Sequence, residues 1–105
     1  MQIRDIYRVV SGRRYDTATA TLTGMVRDDE GSLHDPRVER TGLFKTLRGA
    51  WFIAGESGAH GRWGHCDRWG QSPSRGLNLV NNEEARSLLE EMNGPVADHF
   101  SVAEG

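Results

Sequence analysis

The chain has 105 residues, 36% of them apolar and 27% charged, with a formal net charge of −2 at neutral pH; that is one domain, 1–105, with room for a single modest core. No apolar run approaches the roughly 18 residues of a membrane span, and the start, MQIRDIYRVV, lacks the apolar centre of a secretory signal. The single cysteine, Cys66, cannot close an internal disulfide, so the expected setting is the reducing cytoplasm of a bacterial cell, away from membranes.

Charge is unevenly spread. Residues 1–82 hold 12 Lys+Arg against 9 Asp+Glu, a net of +3, whereas residues 83–105 hold one Arg against six acids, a net of −5. Lys45 is the only lysine. The arginine excess fits a GC-rich coding bias, and it also supplies guanidinium forks suited to carboxylates, phosphates or protein interfaces. No block of like charge has the density of a nucleic-acid-binding arm.

In chain order, IRDIYRVV is predicted to be a strand from Tyr7, Val9 and Val10, although Ile3, Ile6, Tyr7 and Val10 also fit a helical stripe. SGRR is a tight turn into YDTATATLTGMV. There Ala18, Ala20 and Leu22 alternate with Thr17, Thr19, Thr21 and Thr23, the period of a strand, and Gly24 marks a bulge or a weakening end. RDDEGSLHDPR, from Arg27 to Arg37, is a polar loop. GLFKTL and AWFIAGE, separated by Arg48 and Gly49, form a hairpin with Gly49 supplying positive φ. On its second strand Trp51 and Ile53 share one face, Phe52 and Ala54 the other.

Glycines at 55, 58, 61, 64, 70 and 76 point to a long loop over residues 57–76, a length that is often functional. LNLV is a short strand, and NNEEARSLLEEM a helix over residues 82–93. Asn81 or Asn82 caps that helix, Glu83 and Glu84 lie at the positive end of its dipole, and Gly94-Pro95 stops it. Ala85, Leu88, Leu89 and Met92 form its apolar stripe. VADHFSVAEG holds one aromatic anchor, Phe100, and an acidic end. The expected class is α+β: a small antiparallel sheet of about four strands with one C-terminal helix packed across it.

The stretch HGRWGHCDRWG, residues 60–70, concentrates the chemistry. His60, His65, Cys66 and Asp67 could in principle offer zinc ligands, with His34 and His99 the only histidines to spare. The spacing matches no zinc signature, so no metal and no cofactor is expected. Cys66 next to His65 is a poor thiol–imidazole pair, because sequence neighbours seldom face each other and a glycine-rich loop is a weak mount. No phosphate loop or nucleophile elbow is present, so no catalytic residue is assigned and the chain is expected not to be an enzyme.

What remains is Arg-Trp twice. Arg62, Trp63, Arg68 and Trp69 are residue types enriched in binding hot spots, and the acidic helix residues Glu83, Glu84, Glu90 and Glu91 extend the candidate contact set. Two alternatives stand beside this reading: the tryptophans fold back to cap the sheet, or the Trp/Arg loop is a platform for single-stranded nucleic acid. The overall acidity of the chain argues against nucleic acid as a direct partner.

Three blocks in order, YDTATATLTG, LFKTLRGAWFIAGESG and LNLVNNEEARSLLEE, resemble small accessory proteins of phages and conjugative elements. The likeness rests on Tyr15, Asp16, Thr17, Thr19 and Ala20; on Leu43, Thr46, Gly49, Trp51, Phe52, Gly55, Glu56 and Gly58; and on Glu83, Glu84, Ala85 and Arg86. Ser57 departs from the usual glycine, and LNLVNN from the usual Pro-Leu. The resemblance implies an anti-CRISPR-like inhibitor that blocks a surface of a large host protein or nucleoprotein complex, such as a CRISPR effector, without catalysis.

Overall fold

The computed structural model describes residues 5–92. Its centre is a four-stranded antiparallel sheet in the order β3-β4-β5-β8, made of β3 (Thr21–Asp28), β4 (Glu39–Lys45), β5 (Trp51–Ser57) and β8 (Ser74–Val80). Two small hairpins accompany it: β1 (Tyr7–Val10) with β2 (Arg13–Asp16), and β6 (His65–Asp67) with β7 (Gly70–Ser72). One helix, α1 (Asn82–Glu91), follows β8. No described helix is long and apolar enough to cross a membrane.

Both faces of the sheet are buried. Leu43, Trp51 and Ile53 alternate with Phe44, Phe52 and Ala54 along β4 and β5, so the strand period sends one apolar set to each side. On the first side Leu43, Trp51 and Ile53 form one cluster with Trp63 and with Ala85 and Leu89 of α1. On the second, Phe44, Phe52, Ala54 and Leu77 cluster with Ile6, while Tyr15 and Ala20 pack against them. Phe44 and Phe52 stack at 5.1 Å between centroids, and Tyr15 meets Phe52 edge-on at 6.3 Å. The sheet is thus a middle layer, which is why β5 reads as an almost continuous apolar run.

The Thr-rich run is not one strand. The chain turns over residues 17–20: the Asp16 carbonyl accepts from Ala20 N–H at 3.1 Å, and its carboxylate accepts from Ala18 N–H at 2.9 Å. Thr17 exchanges bonds with Ile6 through N–H to Ile6 O and Ile6 N–H to Oγ1, both at 2.9 Å. Asp and Thr satisfy the backbone locally, so the alternating pattern loses to turn chemistry. β3 instead begins at Thr21 and runs on to Asp28, into the stretch expected to be a loop. The glycine-rich stretch likewise contains β6, β7 and the first residues of β8.

Elsewhere the sequence signals are placed as expected. Ser11 and Gly12 both take positive φ in the β1–β2 turn, and Gly49 does so between β4 and β5. Asn81 caps α1 in a capping box: Glu84 N–H donates to Asn81 Oδ1 at 2.8 Å, and Asn81 N–H donates to Glu84 Oε1 at 3.2 Å. At the end of β3 the Arg27 guanidinium, 2.8 Å from Asp29, holds the Asp29 carboxyl below its ordinary range. The contact is therefore complete at neutral pH and loosens only as the pH falls through that lowered value. Phe100 and the end of the expected helix at residue 93 lie outside the described residues.

Candidate interaction site

The two Arg-Trp pairs have opposite fates. Residues 58–64 are held by backbone bonds from Gly58 N–H to Val38 O at 2.8 Å and from His60 N–H to Pro36 O at 2.9 Å. Trp63 folds back onto the sheet and is only 8% exposed. Its indole Nε1–H donates to Thr41 Oγ1 at 2.9 Å, and its backbone N–H donates to Ser57 Oγ at 2.9 Å. The ring lies over Gly76, where a Cβ would approach ring atom Cε3 at 2.7 Å. Only glycine lets the indole lie this close to β8.

The indole closes a buried polar chain. The Thr41 hydroxyl in turn donates to Glu39 Oε2 at 2.8 Å, and Glu39 Oε1 accepts from Arg62 N–H at 3.2 Å. The Arg62 guanidinium stands 3.7 Å from Glu39 Oε2. Glu39, Thr41 and Ser57 are all buried, and no described buried side-chain polar atom lacks a partner. Of these residues only Arg62 and Trp63 belong to the candidate set read from the sequence. The available signal for Glu39 and Thr41 was that the strand period sets them on the same face as Leu43, beside apolar neighbours.

Trp69 stands at the opposite extreme, 84% exposed. Because Asp67 pairs with Gly70, Arg68 and Trp69 are the two turn residues of the β6–β7 hairpin. Asp67 Oδ1 accepts from Trp69 N–H at 2.8 Å, and Gly70 takes φ 117, a conformation that disfavours any side chain. The Arg68 guanidinium carbon lies 5.2 Å from the centroid of the Trp69 ring. The hairpin therefore projects an indole and a guanidinium together from a mount whose base is fixed by Trp63.

Arg62 is drawn away from that tip. It lines a hollow of about 420 Å³ with Glu83, Glu84, Ile53, Val80 and Leu88. Glu90 and Glu91, at the far end of α1, are exposed, and Arg86 stands 3.6 Å from Glu90. The candidate residues therefore divide into a tip, a helix face joined by Arg62, and a buried anchor.

His65, Cys66 and Asp67 follow one another on a strand, which turns Cys66 to the face opposite its neighbours. His65 Nε2 stands 3.8 Å from Asp67, and Cys66 is exposed. Among the described residues no three His, Cys, Asp or Glu side chains gather as metal ligands. No protein-family model, curated protein or solved structure matches the chain.

Proposed function

We propose that this chain is a protein-binding accessory factor of a mobile genetic element, an inhibitor of the anti-CRISPR type that occupies a surface of a larger host complex. One observation carries the reading. Trp69 is presented almost fully to water at the tip of a hairpin, with Arg68 against its ring and a buried anchor at its base. An isolated chain gains nothing from exposing its largest apolar side chain, whereas a partner pocket does. The resemblance of three sequence blocks supplies the mobile-element setting, and the exposed acids of α1 offer a second surface complementary to a basic partner.

The test is an interference assay in cells carrying a CRISPR effector and a targeted plasmid, with binding to the purified effector measured alongside. The wild-type chain is expected to protect the plasmid and bind the effector. Trp69→Ala is expected to weaken binding by about 2 kcal/mol or more while leaving Tm unchanged. Binding that ignores Trp69, or affinity for free single-stranded oligonucleotides that falls steeply with salt, defeats the reading; the latter outcome identifies the Arg68–Trp69 pair as a base-stacking platform.

A further inference from the structure

The two outer edges of the central sheet are built differently. β3 forms one edge, and its register with β4 slips between Leu22 and Gly24 and again between Met25 and Arg27. Such irregularities bend an edge and spoil it as a template for another strand. β8 forms the other edge and keeps unbroken register with β5, from Ser74 opposite Ser57 to Val80 opposite Trp51.

The Leu77 carbonyl on β8 accepts from Arg8 Nη1 at 3.1 Å and thus points away from β5. The two-residue period of a strand turns the backbone groups of Arg75 and Leu79 to the same outer side. Arg8, which also donates to Asn78 Oδ1 at 3.2 Å, stands where the N–H of a further strand would stand.

A groove accompanies this edge. Hollows of about 510 and 620 Å³ share Arg8, Arg62 and Asn78; Arg75 and Leu77 line the first, and Leu79 and Val80 line the second. Asp5 borders only the first hollow and Glu84 only the second, and Glu84 Oε1 already accepts from the helix cap. Among the described residues neither Arg8 nor Arg75 makes an ion pair. Arg62 already stands 3.7 Å from Glu39, so the positive charge without an ion-pair partner in this groove is that of Arg8 and Arg75.

We infer that β8 is a docking edge for an extended acidic segment of a partner protein. The segment pairs with the outer backbone groups of Arg75, Leu77 and Leu79, displaces Arg8 from the Leu77 carbonyl, and sets its carboxylates against Arg8 and Arg75. A second copy of the chain fits less well, because β8 reads SRGLNLV and brings no acid to meet Arg8 and Arg75. The regular spacing of backbone groups also suits a peptide strand better than a phosphodiester chain. The inference stands apart from the reading of the Trp69 tip, and its test keeps them apart.

The probe is an acetylated, amidated octapeptide alternating glutamate and valine, titrated into the isotope-labelled protein and followed by amide chemical shifts. Saturable shifts centred on residues 75–79 are expected. Arg75→Glu, at an exposed position, is expected to weaken binding about tenfold or more, and Trp69→Ala to leave it unchanged. Because a strand donates from alternate residues, methylating the backbone nitrogens of either every glutamate or every valine is expected to abolish binding in one of the two probes. The inference is overturned if both methylated probes bind as the parent does, if a lysine–valine peptide binds equally, or if the shifts centre elsewhere. It is equally overturned if the protein is a dimer through β8, or if oligothymidylate shifts these amides and the acidic peptide does not.

Discussion

Trp63→Ala lowers the unfolding free energy by about 3–5 kcal/mol, the usual range for truncating a buried tryptophan. The indole sits in one cluster with Leu43, Trp51, Ile53, Ala85 and Leu89, and among the described residues only its ring lies over Gly76. Its removal also leaves Thr41 Oγ1 without the Nε1–H donor it accepts from, inside a chain that ends on the buried carboxylate of Glu39. Trp63→Phe keeps one aromatic ring but loses the N–H together with part of the indole's volume, so its expected cost lies above the about 1 kcal/mol of a hydrogen bond and below that of alanine. Gly76→Ala attacks the same contact from the sheet side, because the new methyl meets ring atom Cε3. In the Trp63→Ala background that substitution is expected to be nearly neutral, a coupling that a double-mutant cycle in urea reads directly. If Trp63→Ala leaves the urea midpoint unchanged, the residue is not an anchor.

Phe52→Ala is expected to cost about 3–5 kcal/mol as well. Phe52 has no solvent exposure and is the shared member of the stack with Phe44 and the edge-on contact with Tyr15. Because it lies in the layer opposite Trp63, the two truncations share no cluster and are expected to add to within about 0.5 kcal/mol. Together they consume most of the about 5–15 kcal/mol that holds a small domain folded. The double variant is thus expected to be largely unfolded by circular dichroism, while each single variant remains folded.

How much of this was legible beforehand depended on whether the deciding interaction was local. The capping box at Asn81 and Glu84 is local, and the sequence marks it without ambiguity. The hairpin between β4 and β5 is nearly so, and its Arg48-Gly49 turn is where the sequence puts it. The threonine run misled because Asp16 and Thr17 satisfy backbone groups at a turn, and Thr17 does so through Ile6, eleven positions away. Glycine density in residues 57–76 signalled irregular chain, yet a hairpin of two three-residue strands needs little side-chain preference of its own.

The site divided along the same line. Arg62-Trp63 and Arg68-Trp69 are the same dipeptide followed by glycine, and the one local difference, Asp67 before the second pair against Gly61 before the first, marks a turn but not which indole is buried. Trp63 is buried because Thr41, Ser57 and Gly76, contributed by three different strands, together form its receptor. Trp69 occupies a two-residue turn, which leaves a side chain no interior to enter. The groove beside β8 depends on Arg8 reaching a strand 69 positions further on, a proximity that no periodicity announces.

The unequal placement of the indoles also makes the protein its own optical reporter. Trp51 and Trp63 are 3% and 8% exposed, whereas Trp69 is 84% exposed. Intrinsic emission is therefore a sum of two short-wavelength contributions from the interior and one long-wavelength contribution from the hairpin tip. Acrylamide in the native state extinguishes chiefly the latter, and denaturant shifts only the former. Engagement of the tip and loss of the fold then register at different wavelengths in one cuvette, without a dye.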